Sequence, residues 1–442
     1  MSDTRAPGGE PALARNPVSI AGAWLTTLSV FAFATYLGLD AFGLLASPYA
    51  GMFGFLLIPA LFVLGLLIIP IGIWIEGRRR AKGHQAWHWP LIDLGERRTR
   101  VVATAIVGLT LLNVAILAVA GVGVVHYSET NSFCGQICHT QMEPEFTAHQ
   151  LSPHSRVNCV DCHVAPTAAG FVTAKMNGTR QLYELVAGTY SRPIPSARHR
   201  MPVPSVTCEG CHSPMSPDRQ VMRVFREHKD NEASTEIATS LTMFSGKAHW
   251  HARPDVVVEY VASDATLTTI PYVKMTTNGQ STEYFAEGVT APPAGQPLRR
   301  MDCLDCHNRP AHTLASTPAQ VVDAAIVRGE VSTKVPSVRS EMVEALAEER
   351  PADVDGSRAI VERLTKVFGT STPEARQAIE AGERLYKQNV FPRMRITWGT
   401  YSNQLFHVDN TGCFRCHDDT HTVKGDAEKK VKQDCDLCHK EE

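Results

Sequence analysis

Neither sign of charge dominates this chain. Its 43 Lys and Arg stand against 45 Asp and Glu in 442 residues, and a net charge of −2 leaves no electrostatic footprint for nucleic acid. Cysteine is absent everywhere except inside six short motifs, so none is left over for a separate disulfide framework. Zinc knuckles do not account for the motifs either, because they need no histidine directly after each second cysteine.

What is present instead is one local pattern, repeated. Five motifs read Cys-x-x-Cys-His: Cys159/Cys162/His163, Cys208/Cys211/His212, Cys303/Cys306/His307, Cys413/Cys416/His417 and Cys435/Cys438/His439. A sixth, Cys134/Cys138/His139, is longer by one residue. With 12 Cys and 18 His in the chain, chance supplies about 0.01 such motifs. Two thiols at this spacing form thioethers to a porphyrin edge, and the adjoining imidazole then lies under the iron as proximal ligand. The motifs therefore predict six covalently bound c-type haems.

Hydropathy is concentrated at the N-terminal end. Residues 21–45, 52–75 and 101–125 are long enough to cross a hydrocarbon layer of about 30 Å. The first run is too long for a signal-peptide core and leads through Ser47-Pro48 into the second. Between the second and third stand Arg78, Arg79, Arg80, Lys82, Arg97, Arg98 and Arg100, against Glu76, Asp93 and Glu96. The positive-inside rule puts that loop in the cytoplasm, and every Cys–His motif then falls outside a bacterial inner membrane. No run carries a pair of inward histidines, which argues against a b-type haem within the bilayer part of this chain.

The expected fold is a membrane-anchored multihaem cytochrome c. Three transmembrane helices precede a mostly helical and irregular haem-wrapping region that holds a small β insertion and a helical segment before the last two haems. The boundaries read as a cytoplasmic N-terminus over 1–18, a transmembrane hairpin over 19–76, a basic loop over 77–100 and a third span over 101–126. Haems 1–3 occupy 127–212, and a β-rich insertion 213–300 has strands flanking Asn278-Gly279. The fourth haem site follows at 301–315. Helices over 316–400 start at Thr317-Pro318 and Thr372-Pro373, and haems 5 and 6 occupy 401–442.

Each iron has a second axial position that the motifs do not fill. Outside the motifs and the cytoplasmic His84 and His88, ten histidines remain. Neutral imidazole on both faces saturates an iron for electron transfer, whereas an open iron does substrate chemistry. The candidates are His154, His199, His249, His251, His312, His407 and His421, while His126, His149 and His228 are left outside the set. His312 and His421 closely follow a motif histidine and cannot swing over their own haem, so each is read as ligating a neighbour; His154 and His407, just before motifs, follow the same logic. His249 and His251 flank Trp250; on a strand they share one face, as one ligand and one hydrogen-bond donor. For each, a surface or hydrogen-bonded histidine is the alternative. Met142, three residues after His139, either ligates the first iron or packs on the porphyrin.

Residues 105–215 resemble the NapC/NirT family of membrane-anchored multihaem quinol dehydrogenases. The resemblance rests on a helix leading into Cys134-Gly-Gln-Ile-Cys-His139, on Ser152-Pro-His-Ser before Cys159-Val-Asp-Cys-His163, on the amphipathic stretch 171–188 and on Cys208-Glu-Gly-Cys-His212. It implies quinol oxidation beside the first haem, with Met142 as a possible ligand there and Lys175 lining the quinol pocket. The family's pocket aspartate falls at Gln181, so Glu184 is the substitute base. Two extra spans, two extra haems and the longer first motif are departures from the family pattern. Independently of family, Lys175, Arg180 and Glu184 suit a pocket that must hold a quinol oxygen and take its protons. The bland alternative is an amphipathic helix lying on the membrane.

Three functions compete. The first is a quinol dehydrogenase that draws on the membrane quinone pool and passes electrons along six haems to a periplasmic or complex-bound redox protein. The second is an electron-transfer subunit of a larger respiratory complex, docked to further membrane subunits through the 19–76 hairpin and without its own quinone site. The third is a multihaem terminal reductase, which needs an open iron.

Overall fold

Without water, a backbone must satisfy its own hydrogen bonds, so apolar runs cross a membrane as helices. In the computed structural model they form α1 (Pro17–Ala41), α2 (Ile58–Ala81) and α3 (Arg97–Tyr127). Each contains a segment of at least 23 apolar-rich residues, enough to span a bilayer. The structure describes residues 13–14, 16–41, 57–84, 97–137, 139–196, 201–213, 219–350, 356–407 and 410–441. They divide into two units, Met1–Glu129 and Thr130–Glu442. Part of the two expected N-terminal spans, residues 42–56, and much of the basic loop, residues 85–96, lie outside the described residues.

In the first unit, small residues bring α1 and α2 together. A Cβ added at Gly65 would meet Thr26 N at 2.7 Å, and one at Gly22 would meet Gly65 O at 2.8 Å. Ser19 Oγ donates across the pair to Ile69 O at 2.8 Å. Such close approach replaces the hydrophobic drive that lipid cannot supply. The helix α2 ends in Arg78, Arg79 and Arg80, with Arg80 Nε bonded to the buried Glu76 at 3.1 Å. By contrast, α3 leaves Val119 and Val122 more than 70% exposed, as befits a lipid-facing helix.

The second unit begins with α4 (His139–Leu151) and α5 (Ala168–Val186) and little regular structure besides. Strands follow, first β1 (Val221–His228) and β2 (Glu236–Met243), then β3 (Val256–Val261), β4 (Tyr272–Thr277), β5 (Gln280–Phe285) and β6 (Arg299–Arg300). Asn278 and Gly279 both have positive φ (51° and 78°), as the expected β4–β5 hairpin requires. The β region is not a self-contained insertion, however. Strands β7 (Thr422–Val423), β8 (Asp426–Lys430) and β9 (His439–Glu441) from the last segment complete two antiparallel sheets, ordered β1-β2-β9 and β6-β3-β4-β5-β7-β8. The segments read as 213–300 and 401–442 thus fold together.

Four helices pack between these contributions: α6 (Pro318–Val327), α7 (Val338–Ala347), α8 (Gly356–Phe368) and α9 (Pro373–Asn389). α6 and α9 start where expected, each with Pro at the first turn, and Thr372 Oγ1 accepts from Ala375 N at 3.2 Å. Val322, Val338, Met342, Leu346, Ile360 and Leu364 form their closed core. Burying each such side chain contributes about 1.5–3 kcal/mol.

Candidate functional site

A Cys-x-x-Cys-His motif needs about one helical turn to bring two thiols and an imidazole to one side. Cys159–His163 is such a turn, with Asn158 and Asp161 forming a capping box. In the next three motifs the histidine N–H bonds back to the first cysteine carbonyl, His212 to Cys208 at 2.8 Å, His307 to Cys303 at 2.8 Å and His417 to Cys413 at 3.0 Å. Asp302 and Asp434 side chains cap the fourth and sixth turns by accepting from Leu304 N and Asp436 N. In the stretched first motif, Phe133–Ile137 is a π-helical turn, which is how a helix absorbs one extra residue. Cys138, the side chain of His139 and His199 lie outside the described residues. Met142 is half-buried on α4.

Five motif histidines each face a non-motif histidine at nearly one distance. Ring centroids are 6.1 Å apart for His163 and His312, 5.9 Å for His212 and His154, and 6.1 Å for His307 and His249. They are 6.0 Å apart for His417 and His251 and 6.1 Å for His439 and His407. A metal–imidazole bond of about 2 Å on each side puts two axial rings about 6 Å apart, so the spacing fits an iron between them. The ring nitrogens are arranged accordingly. Nδ1 donates to a backbone carbonyl in His154 (Pro310, 3.2 Å), His249 (Ser245, 2.8 Å), His251 (Ala248, 3.2 Å) and His312 (Glu145, 3.0 Å). Among the motif histidines His417 does the same to Lys432 O at 2.9 Å. That bond fixes the tautomer and leaves the Nε2 lone pair free. Burial is the leading cause that lowers the pKa of His163, His251, His307 and His312, which keeps them in the neutral, ligand-competent form.

Two expectations about the distal histidines need correction. His249 and His251 lie on a short helical turn rather than a strand, and instead of dividing into ligand and donor they face His307 and His417 respectively. His421 is not placed for ligation. It is buried, with Nδ1 at 2.9 Å from Asp418 and Nε2 at 2.6 Å from Ile270 O, so both ring nitrogens face acceptors. At the third motif Cys208 is half-buried and Cys211 exposed, and in the fifth and sixth motifs Cys413 and Cys435 are likewise exposed beside half-buried Cys416 and Cys438. Cys211 closes a surface turn, its N–H bonded to Cys208 O at 3.1 Å. A thioether forms at the porphyrin edge, so it needs a thiol within reach rather than a buried one. Of the histidines set aside, His228 is locked to Asp323 at 3.0 Å and His149 contacts Val157 O at 3.1 Å, although its ring also lies 6.1 Å from His312.

The thiols trace the neighbourhood of the sites. A hydrogen bond with Cys159 leads in lowering the Cys134 thiol to about 7, with help from the Lys175 charge, and the same bond raises Cys159. Burial first, then Cys208, raises both Cys162 and Cys303, and Cys211 adds to the effect on Cys162. Cys416 is pushed up to about 12 chiefly by burial, with Cys306 among its charged neighbours; Cys438 is raised by burial and then Cys413. Successive motifs are therefore close in space.

Around the first motif, Lys175 lies on α5 with Nζ 4.9 Å from the Phe171 ring centre. Val172, Met176, Tyr183 and Val186 are exposed. At about 100° per residue they form one apolar stripe that Lys175 borders. Arg180 and Glu184 pair at 3.4 Å. Glu184, nine positions from Lys175, falls about half a turn away, so the two do not line one pocket as expected.

The sequence reading missed residues that join the sites. Arg415, inside the fifth motif and buried, donates to Asp305 O in the fourth at 2.6 Å and to Leu267 O at 2.9 Å. Phe414 beside it stacks on His407, centroids 4.3 Å apart. Glu145 takes two bonds from Arg309 Nη2, at 2.9 and 3.1 Å, next to His312. Variable positions between fixed ones carry no sequence signal of this kind.

Residues 96–256 match the model of the NapC/NirT cytochrome c family, N-terminal region, so the last three motifs lie beyond the match. The cytochrome c-type protein ImcH of Geobacter sulfurreducens is 32% identical across 96% of this chain and 87% of its own length. The cytochrome c-type protein TorC of Escherichia coli K12 is 24% identical over 28% of this chain and 36% of its own. The cytochrome c nitrite reductase subunit NrfH of Nitratidesulfovibrio vulgaris is 28% identical over 24% and 67%. No solved structure matches the chain.

Proposed function

Since the chain belongs to the NapC/NirT cytochrome c family, a membrane-bound electron-transport family, we propose that it oxidises quinol beside its first haem and relays the electrons through six haems to a redox partner outside the inner membrane. The observation that carries this reading is the set of five imidazole pairs at 5.9–6.1 Å. Haem iron, when bound, supplies the one-electron change. The twelve motif cysteines hold the porphyrins, the motif histidines are proximal ligands, and His312, His154, His249, His251 and His407 are the distal ligands of haems 2 to 6. Carbonyls at Glu145, Pro310, Ser245 and Ala248 hold four of these distal rings in position. Paired imidazoles leave no iron open at these five sites, which disfavours a terminal reductase.

At the first site, Met142 on α4 is the candidate distal ligand, and Lys175 holds the quinol oxygen. Lys175 borders the exposed apolar stripe of α5, the surface along which a quinone tail fits. The arginines closing α2 support a cytoplasmic loop and exported haems. Membership of a larger complex is the second reading, favoured by the two extra spans and by the subunit status in NrfH's own name.

The test is reduction by a soluble quinol analogue, with haem counted by pyridine haemochrome. Six haems, reduction by quinol, and a rate at least tenfold lower in Lys175→Ala while dithionite still reduces every haem are the expected results. Quinol that reduces neither protein nor membranes containing it sinks the reading in favour of a complex subunit without its own quinone site.

A further inference from the structure

Two neighbouring residues of the fifth motif reach in opposite directions. Arg415 extends to the fourth motif, where its Nη2 donates to Asp305 O at 2.6 Å. Phe414 extends to the ring of His407, which faces His439 of the sixth. The short turn that carries His249 and His251 adds a second link between sites four and five, because residues two apart face His307 and His417. Trp250 between them packs in the same apolar cluster as Cys416. On the other side, His417 Nδ1 is held by Lys432 O, three residues before Cys435.

We infer that the fifth haem stands between the fourth and the sixth in a single file, with the sixth at its end, and that Arg415 and Phe414 are the positioning residues at the two joints. The inference rests on the distal-ligand reading above. In each step one electron leaves a ferrous haem as the next ferric haem is reduced; no bond forms or breaks. An internal member of a file has two neighbours and an end member has one. This difference is measurable, because a reduced haem adds negative charge that lowers the potential of haems close to it in a low-dielectric interior.

In holoprotein with all six haems, His251→Met and His407→Met each exchange an imidazole for a thioether, which raises that haem's potential. Spectroelectrochemical titration is expected to show His251→Met raising one component and lowering two, and His407→Met raising one and lowering one. One lowered component in His251→Met, or two in His407→Met, overturns the file. If neither variant gains the far-red ferric band of His–Met ligation, the ligand reading itself fails, and the file with it. Phe414→Leu exchanges no ligand and removes the ring stacked on His407. It is expected to keep the potentials of the other five haems while slowing equilibration between the fifth and sixth haems several-fold after pulse reduction, with Phe414→Tyr restoring the rate. An unchanged rate removes Phe414 as the joint.

Discussion

Residues 130–212 and residues 316–400 are of similar length and fold by different means. The first stretch holds three motifs, and among its described residues little that is apolar is buried beyond Pro144 and Ala148, with Ile137, Leu151, Val203 and Val206 exposed. The second holds no motif and closes a core in which Val322, Met342, Ile360 and Leu364 are fully buried. Where porphyrins are to supply the apolar interior, the polypeptide has only to present turns and ligands. Where none is available, the chain builds the interior itself from amphipathic helices.

Removing the haems breaks this comparison most severely. Chain exported in cells that cannot attach c-type haem is expected to lose protection from proteolysis throughout 130–212 while retaining a protected fragment over 316–400. Equal protection of both stretches would mean that the front region folds without its cofactors. The converse change is Leu364→Ala, expected to cost about 2–5 kcal/mol in denaturant unfolding of the helical segment. The haem midpoint potentials should stay in place, and a shift in any of them would tie that core to the haem sites. A smaller contrast comes from helix caps. Thr372→Ala removes the bond to Ala375 N and is expected to destabilise the helical segment by about 1 kcal/mol. Asn158→Ala at the second motif should cost less than half of that in holoprotein, since thioethers already hold the turn that Asn158 caps. Equal costs would show that attachment leaves the turn as mobile as an ordinary helix start.

Much of this was legible beforehand because it is local. The Cys–His motifs, the three apolar runs, the Asn278-Gly279 hairpin and the Thr-Pro helix starts all depend on residues a few positions apart. Partner choice does not. His163 faces His312 and His417 faces His251 across long stretches of chain, and nothing in their spacing ranks them above His421, which turns both nitrogens to protein acceptors. The exposure of Cys211 beside a half-buried Cys208 is likewise set by what the rest of the chain covers, and two cysteines of one motif look alike in sequence. The strands β1 and β2 lacked a clean alternation because both faces of their hairpin carry exposed residues, among them Met222 on one face and Arg223 on the other. The opposed faces of Lys175 and Glu184 follow from helical phase, and a count of positions along α5 finds them.

The pairing of β9 with β2, Met243 opposite His439, gives the sixth motif an unusual part in assembly. Its three strand residues are the last the structure describes, and one of them carries the sixth imidazole. The backbone edge of β2 beside this motif is satisfied only when the sixth motif folds back onto it from the far end of the second unit. Closing the sheet and seating that imidazole against His407 are therefore one event.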